Sequence, residues 1–118
     1  MKQELEEKIL KSCPTIFPDA QDFWGFECGD GWFDIINELC CLIEHELKYN
    51  KELSVKVVQV KEKFGGLRFY INGGNEKIYG MISLAEQLST ITCEVCGSKG
   101  KLREDRAWLR TLCDEHNL

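Results

Sequence analysis

The stretch Cys93-Glu94-Val95-Cys96-Gly97, answered after sixteen intervening residues by Cys113-Asp114-Glu115-His116, decides how this 118-residue chain is read. Written as C-x2-C-x16-C-x2-H, it offers two thiolates from one tight turn, then a thiolate and an imidazole from a second. Gly97 lets the backbone bend sharply away from the first pair. Three cysteines and one histidine within tetrahedral reach suit Zn2+. Four protein donors fill the coordination sphere, so the expected role is structural; a catalytic zinc keeps one position open. Residues 93–118 number 26, too few to build a core, and the metal substitutes for one.

Between the two ligand pairs, residues 99–102 and 107–112 read as a hairpin. Knuckle, hairpin and a short helical turn carrying Cys113 and His116 together resemble a treble-clef zinc finger. Only two residues follow His116, where such fingers carry a longer helix.

Upstream of the finger the periodicities alternate. Residues 2–11 read as a short helix, and Pro14 and Pro18 then interrupt helical structure. Residues 19–31 hold Phe23, Trp24 and Phe26 among Gly25, Gly29 and Gly31, an aromatic-rich loop in which Asp30 is a candidate N-cap. From 32 to 49, Trp32, Ile35, Ile36, Leu39, Cys40, Ile43 and Leu47 share one helical face; Cys41 falls on the other. Residues 53–62 and 67–72 read as strands joined through Lys63-Phe64-Gly65-Gly66. Val55 and Val57 switch phase to Val58 and Val60, which requires either a bulge near Val57 or partial cover on both faces. After the turn at 72–75, residues 76–90 form a helix with Ile78, Met81, Ile82, Ala85 and Leu88 on one stripe. The expected fold is α+β. A β-hairpin or small antiparallel sheet is packed by helices in residues 1–91, and residues 92–118 form a zinc finger packed on it.

Composition narrows the class. Hydrophobic residues make up 43% and charged residues 30%, ordinary values for a globular chain. The N-terminus is too polar for a secretory signal, so a cytoplasmic protein with no membrane role is expected. Seven cysteines then favour metal binding over disulfides. The formal charge is −5. Residues 1–50 carry 4 basic and 11 acidic side chains, and residues 51–118 carry 11 and 9. Such an acidic front half argues against a broad nucleic-acid coat but permits a local anion site further along.

Two groups of cations compose that candidate site. Lys61, Lys63 and Arg68 flank Phe64-Gly65-Gly66, and Arg103, Arg106 and Arg110 surround Trp108 in the finger loop. Cations beside an aromatic ring suit a nucleotide or a nucleic-acid backbone. The plain alternative is a solvated turn, plus charge compensation for a Cys3His centre. Trp24, Phe26, Trp32 and Phe33 are expected in the core under the long helix. Cys41 and His45 stand one turn apart, with no evident group to orient them for catalysis, and read as an incidental pair. Cys13 and Cys28 show no ligand spacing. The carboxylates Asp34, Glu38, Glu44 and Glu46 read as a solvated helix face.

At Lys61-Glu62-Lys63-Phe64-Gly65-Gly66-Leu67-Arg68-Phe69-Tyr70, and again at 92–97 with Trp108 and 111–116, the chain resembles a family of small bacterial, prophage and phage proteins without an assigned activity. The resemblance runs from about Gly29 to His116. It implies a mobile-element setting, hence the host cytoplasm, and a zinc-bearing C-terminus, and it supplies no catalytic residue. The expected function is non-enzymatic: a zinc-stabilised protein binding an anionic ligand (a nucleotide, a nucleotide second messenger or nucleic acid), in a phage setting to counter host defence. The alternative is an inhibitor of a host defence or regulatory protein, acting through the acidic and aromatic N-terminal half.

Overall fold

The computed structural model describes residues 1–18 and 23–118; part of the expected aromatic-rich loop, residues 19–22, lies outside them. The chain runs α1 (Gln3–Ser12), β1 (Phe26–Glu27), a 3-10 turn (Asp30–Trp32), α2 (Phe33–Tyr49), β2 (Val55–Lys63), β3 (Gly66–Gly73), α3 (Glu76–Ser89), β4 (Lys101–Arg103) and β5 (Arg110–Leu112). The class is α+β, as the periodicities require. Among the described residues no helix is long and apolar enough to cross a membrane.

β2 and β3 form the expected hairpin. Val57 opposes Ile71 and Gln59 opposes Tyr70, so Val58 is the extra residue of a bulge. The bulge explains the phase switch, because Val55, Val57 and Val60 all reach the core on its two sides. The carbonyl of Val58 accepts the Trp24 N–H (3.2 Å). The sheet is not purely antiparallel. Phe26 and Glu27 add a short strand parallel to β2, giving the order β1-β2-β3. A two-residue strand inside a glycine-rich stretch leaves no period to read.

The link between β2 and β3 is Phe64-Gly65, with φ of 53° and 85°. Positive φ at both central residues is the signature of a type I′ turn, whose twist matches the strands it joins. Gly65 takes this geometry freely, whereas Phe64 carries a cost of about 1–2 kcal/mol. The Glu62 carboxylate accepts the Gly65 N–H (2.7 Å) and helps hold the turn. α3 lies along the outer edge of β3. Ser89 Oγ accepts the Leu67 N–H (2.9 Å) and Glu86 accepts the Phe69 N–H (3.0 Å), so two edge donors are satisfied by side chains. Asn75 caps α3 through its side chain, accepting the Ile78 N–H (3.0 Å).

Several local expectations are corrected. Asp30 is not the N-cap of α2; it sits in the 3-10 turn, and its carboxylate accepts the Lys2 backbone N–H (2.7 Å). Trp24 is exposed rather than buried, its backbone N–H tied to Val58 at the bulge while its ring stays in solvent; Phe33 is half-buried, and Phe26 and Trp32 are core as expected. Cys41 is half-buried against the core. Leu88 leaves the α3 core stripe and is exposed.

Gly31 sets how closely the finger approaches. A Cβ there would collide with the Cys93 carbonyl oxygen and crowd the Gly97 nitrogen, both backbone atoms. Gly31→Ala is therefore expected to cost about 3 kcal/mol or more, a drop in melting temperature on the order of 10 °C. Gly80→Ala, in α3 with open space around it, is expected to raise stability by about 0.5–1 kcal/mol. Thermal melts of both variants check this; equal, small effects would show that the knuckle does not seat on Gly31.

Candidate metal centre

The four predicted ligands come together. Each of Cys93, Cys96, Cys113 and His116 offers one ligand atom, and these atoms all lie within 4.8 Å of one another. Among the described residues no other group of three Cys, His, Asp or Glu does so. The Sγ atoms of Cys96 and Cys113 are 3.7 Å apart; His116 Nδ1 is 3.1 Å from Cys113 Sγ and 3.9 Å from Cys93 Sγ.

Local hydrogen bonds shape both ligand turns. The Gly97 N–H donates to the Cys93 carbonyl (2.9 Å), closing the first knuckle, and the Cys93 N–H donates to the Ser98 carbonyl (2.7 Å). The Glu94 N–H donates to the Thr111 carbonyl (3.0 Å), tying the knuckle to β5. The His116 N–H donates to the Cys113 carbonyl (3.3 Å), forming the turn that carries the second pair. Burial opposes ionisation of the Cys93 thiol, but the N–H groups of Cys113, Cys96 and Val95 outweigh it and bring its pKa down to about 6. A thiolate at neutral pH is the form that binds a metal. Cys28 behaves oppositely: burial, with Glu94 nearby, pushes its thiol up to about 12, which leaves it inert.

The knuckle is bolted to the rest of the chain by a residue that spacing did not single out. Glu94 is buried, one carboxylate oxygen accepting the Gly29 N–H (2.8 Å), the other 3.4 Å from the Arg110 guanidinium. Its carbonyl accepts the Gly31 N–H (2.7 Å), and the Trp32 indole N–H donates to the Thr92 carbonyl (2.9 Å). Nothing in the sequence marks Glu94, because its partners are the Gly29 N–H, 65 residues away, and the Arg110 guanidinium, 16 residues away.

The predicted cations divide by role. Arg103 has a side chain only 10% exposed; it donates twice to the Leu112 carbonyl and pairs with Asp114 at 2.8 Å. That guanidinium holds the Asp114 carboxyl below its usual range. Arg110 pairs with Glu94, and Arg68 donates to its own strand at the Leu67 carbonyl (3.0 Å). Arg106 is half-buried beside Asn117 (3.3 Å). Lys61 faces Arg68 across the hairpin, and the Lys63 ammonium sits 5.6 Å from the centre of the Phe64 ring. The hairpin turn and the finger are in direct contact: Thr111 Oγ1 donates to the Gly65 carbonyl (2.7 Å), and a Cβ on Gly65 would strike Leu102 and crowd the Leu109–Arg110 backbone. Phe64 and Trp108 flank this contact in the sequence and are 68% and 80% exposed. Cys41 and His45 lie elsewhere, in a cavity of about 650 Å³ that Glu44, Lys48, Lys51 and Lys56 also line.

No protein-family model, curated protein or solved structure matches this chain, so the centre is read from its own chemistry.

Cys113→Ser is expected to abolish metal binding and unfold the finger, since an incomplete donor set forfeits most of the roughly 10 kcal/mol or more that such sites contribute. Glu94→Gln keeps the donors and is expected to retain the metal while losing about 1–3 kcal/mol of stability. Metal content and melting curves of the two variants separate ligand from clasp; metal retained in Cys113→Ser would refute the site.

Proposed function

We propose that the chain is a non-enzymatic binding protein, stabilised by one structural Zn2+, that takes an anionic, base-bearing ligand on the face where the hairpin turn meets the finger. A tetrahedral zinc with bonds of about 2.3 Å to sulfur and about 2.0 Å to nitrogen sets its donors about 3.8 Å (S to S) and 3.5 Å (S to N) apart. The separations of 3.7, 3.9 and 3.1 Å lie near that frame, and all four donors, within 4.8 Å of one another, are close enough to gather round one ion. Three thiolates and an imidazole are the donor chemistry zinc prefers, and four of them leave no position for a reacting water. Purified protein examined by native mass spectrometry is expected to carry one zinc; iron, or a metal-free mass with an unchanged melting curve, would refute this assignment.

The observation that carries the ligand reading is the Gly65–Thr111 contact. It joins the two segments that carry the cation groups, far apart in the chain, and on those segments Phe64 and Trp108 are exposed. Phe64 is exposed, is held at positive φ, and has a lysine over its ring. Backbone strain at an exposed aromatic suits a binding contact better than a packing one. Arg103 and Arg110 are committed to Asp114 and Glu94, so in this reading they hold the scaffold, while Lys61, Lys63 and Arg106 meet phosphates. Stacking on two exposed rings suits a short single strand, with a nucleotide as its smallest unit.

Fluorescence anisotropy with a short labelled single-stranded oligonucleotide tests this. Binding is expected to weaken as salt rises, and Trp108→Ala is expected to lower affinity about tenfold or more with an unchanged melting curve. Absence of binding at low salt, or undiminished binding by Trp108→Ala, would sink the reading.

A further inference from the structure

α3 carries more apolar surface than the core consumes. Ile78, Ile82 and Ala85 are buried. Met81, Leu84 and Leu88 form a second apolar row at helical spacing, and Leu84 is 62% exposed. On α2, Ile35 and Leu42 continue this row across the helix pair, Leu42 being 50% exposed. The two helices thus bound an apolar groove of about 330 Å³. Single exposed leucines are ordinary, but a contiguous apolar groove between two helices marks a contact surface.

Its charged lining is one-sided. Asp34 and Glu38 line the groove, and no lysine or arginine does. Among the described residues neither carboxylate has an ion-pair partner. A second copy of this chain would gather the Asp34 and Glu38 carboxylates of both molecules around one apolar contact, between two bodies of charge −5. Like charges so placed oppose association. A helix with apolar anchors on one face and cations beside them satisfies both features, in the helix-in-groove mode of recognition.

We infer that the α2/α3 groove docks a cationic amphipathic helix of a partner protein. This surface uses neither the metal ligands nor the residues of the hairpin–finger face, so it stands or falls independently of the proposed ligand.

The test uses the zinc-loaded full chain and two synthetic helical peptides. Both carry leucines at i, i+4 and i+7; one is flanked by lysine and arginine, the other by glutamate in the same places. Anisotropy titration is expected to show binding of the cationic peptide and none of the acidic one. Leu84→Glu is expected to weaken binding about tenfold or more. Glu38→Lys, on the rim and clear of the core, is expected to do the same and serves if Leu84→Glu fails to fold. Sedimentation of the free protein is expected to give a monomer. Equal binding of both peptides, binding of neither, or a dimer that Leu84→Glu dissolves would each overturn the inference, the last by assigning the groove to a second copy.

Discussion

The seating of the Cys93–Gly97 knuckle on the Gly29–Gly31 backbone is the contact on which the other features depend. Gly31 brings two backbones within a distance that any side chain would prevent, and Glu94 and Trp32 close hydrogen bonds on either side of it. The knuckle in turn anchors β5 through the Glu94 N–H, and Thr111 on β5 reaches the Gly65 carbonyl. A short run of polar contacts therefore sets the finger's place against α2 and the β2–β3 turn. A metal ion held by the Cys93, Cys96, Cys113 and His116 cluster would rigidify the knuckle, and the clasp would pass that order to the body of the chain.

Part of the charge in this chain is used for construction. Arg103 and Arg110 face partners inside the finger and its junction, each neutralised by one carboxylate. Glu44 likewise turns inward, accepting the Thr15 and Ile16 N–H groups at 2.8 and 2.9 Å, which ties the segment after α1 to α2. What is left for solvent differs between surfaces. Phe64, with Lys63 over its ring, and Trp108 are exposed on the joined hairpin and finger segments, and apolar side chains with two carboxylates line the α2/α3 groove. Their chemistries differ, so the ligand and the partner proposed for them would be different molecules.

Much of the architecture was legible because its signals are local. Helical period, strand alternation, the valine phase switch that left a bulge or two-sided cover as its explanations, and the spacing C-x2-C-x16-C-x2-H each depend on residues near one another in the chain. What escaped was non-local. β1 is two residues long and exists because β2 is there to pair with it. Asp30 was free to serve Lys2 instead of a helix end. Trp24 looked like core by type, yet with its backbone tied to Val58 at the bulge its ring remains in solvent. Cys13, Cys40 and Cys41 meet through α1 and α2, Cys13 held below its usual pKa by hydrogen bonding with Cys40, a proximity no spacing rule suggests.

The order of residues by itself determined the α+β class, the main elements and the four members of the Cys/His cluster, because those follow from periodicity and from donor chemistry at fixed separations. Tertiary structure alone decided which cations are spent inside the fold, that Glu94 rather than a ligand is the clasp, and that Phe64 and Trp108 belong to joined segments. It also decided that α3 exposes a second apolar row. Each of these turns on distances between residues tens of positions apart, and such distances exist only once the backbone has packed.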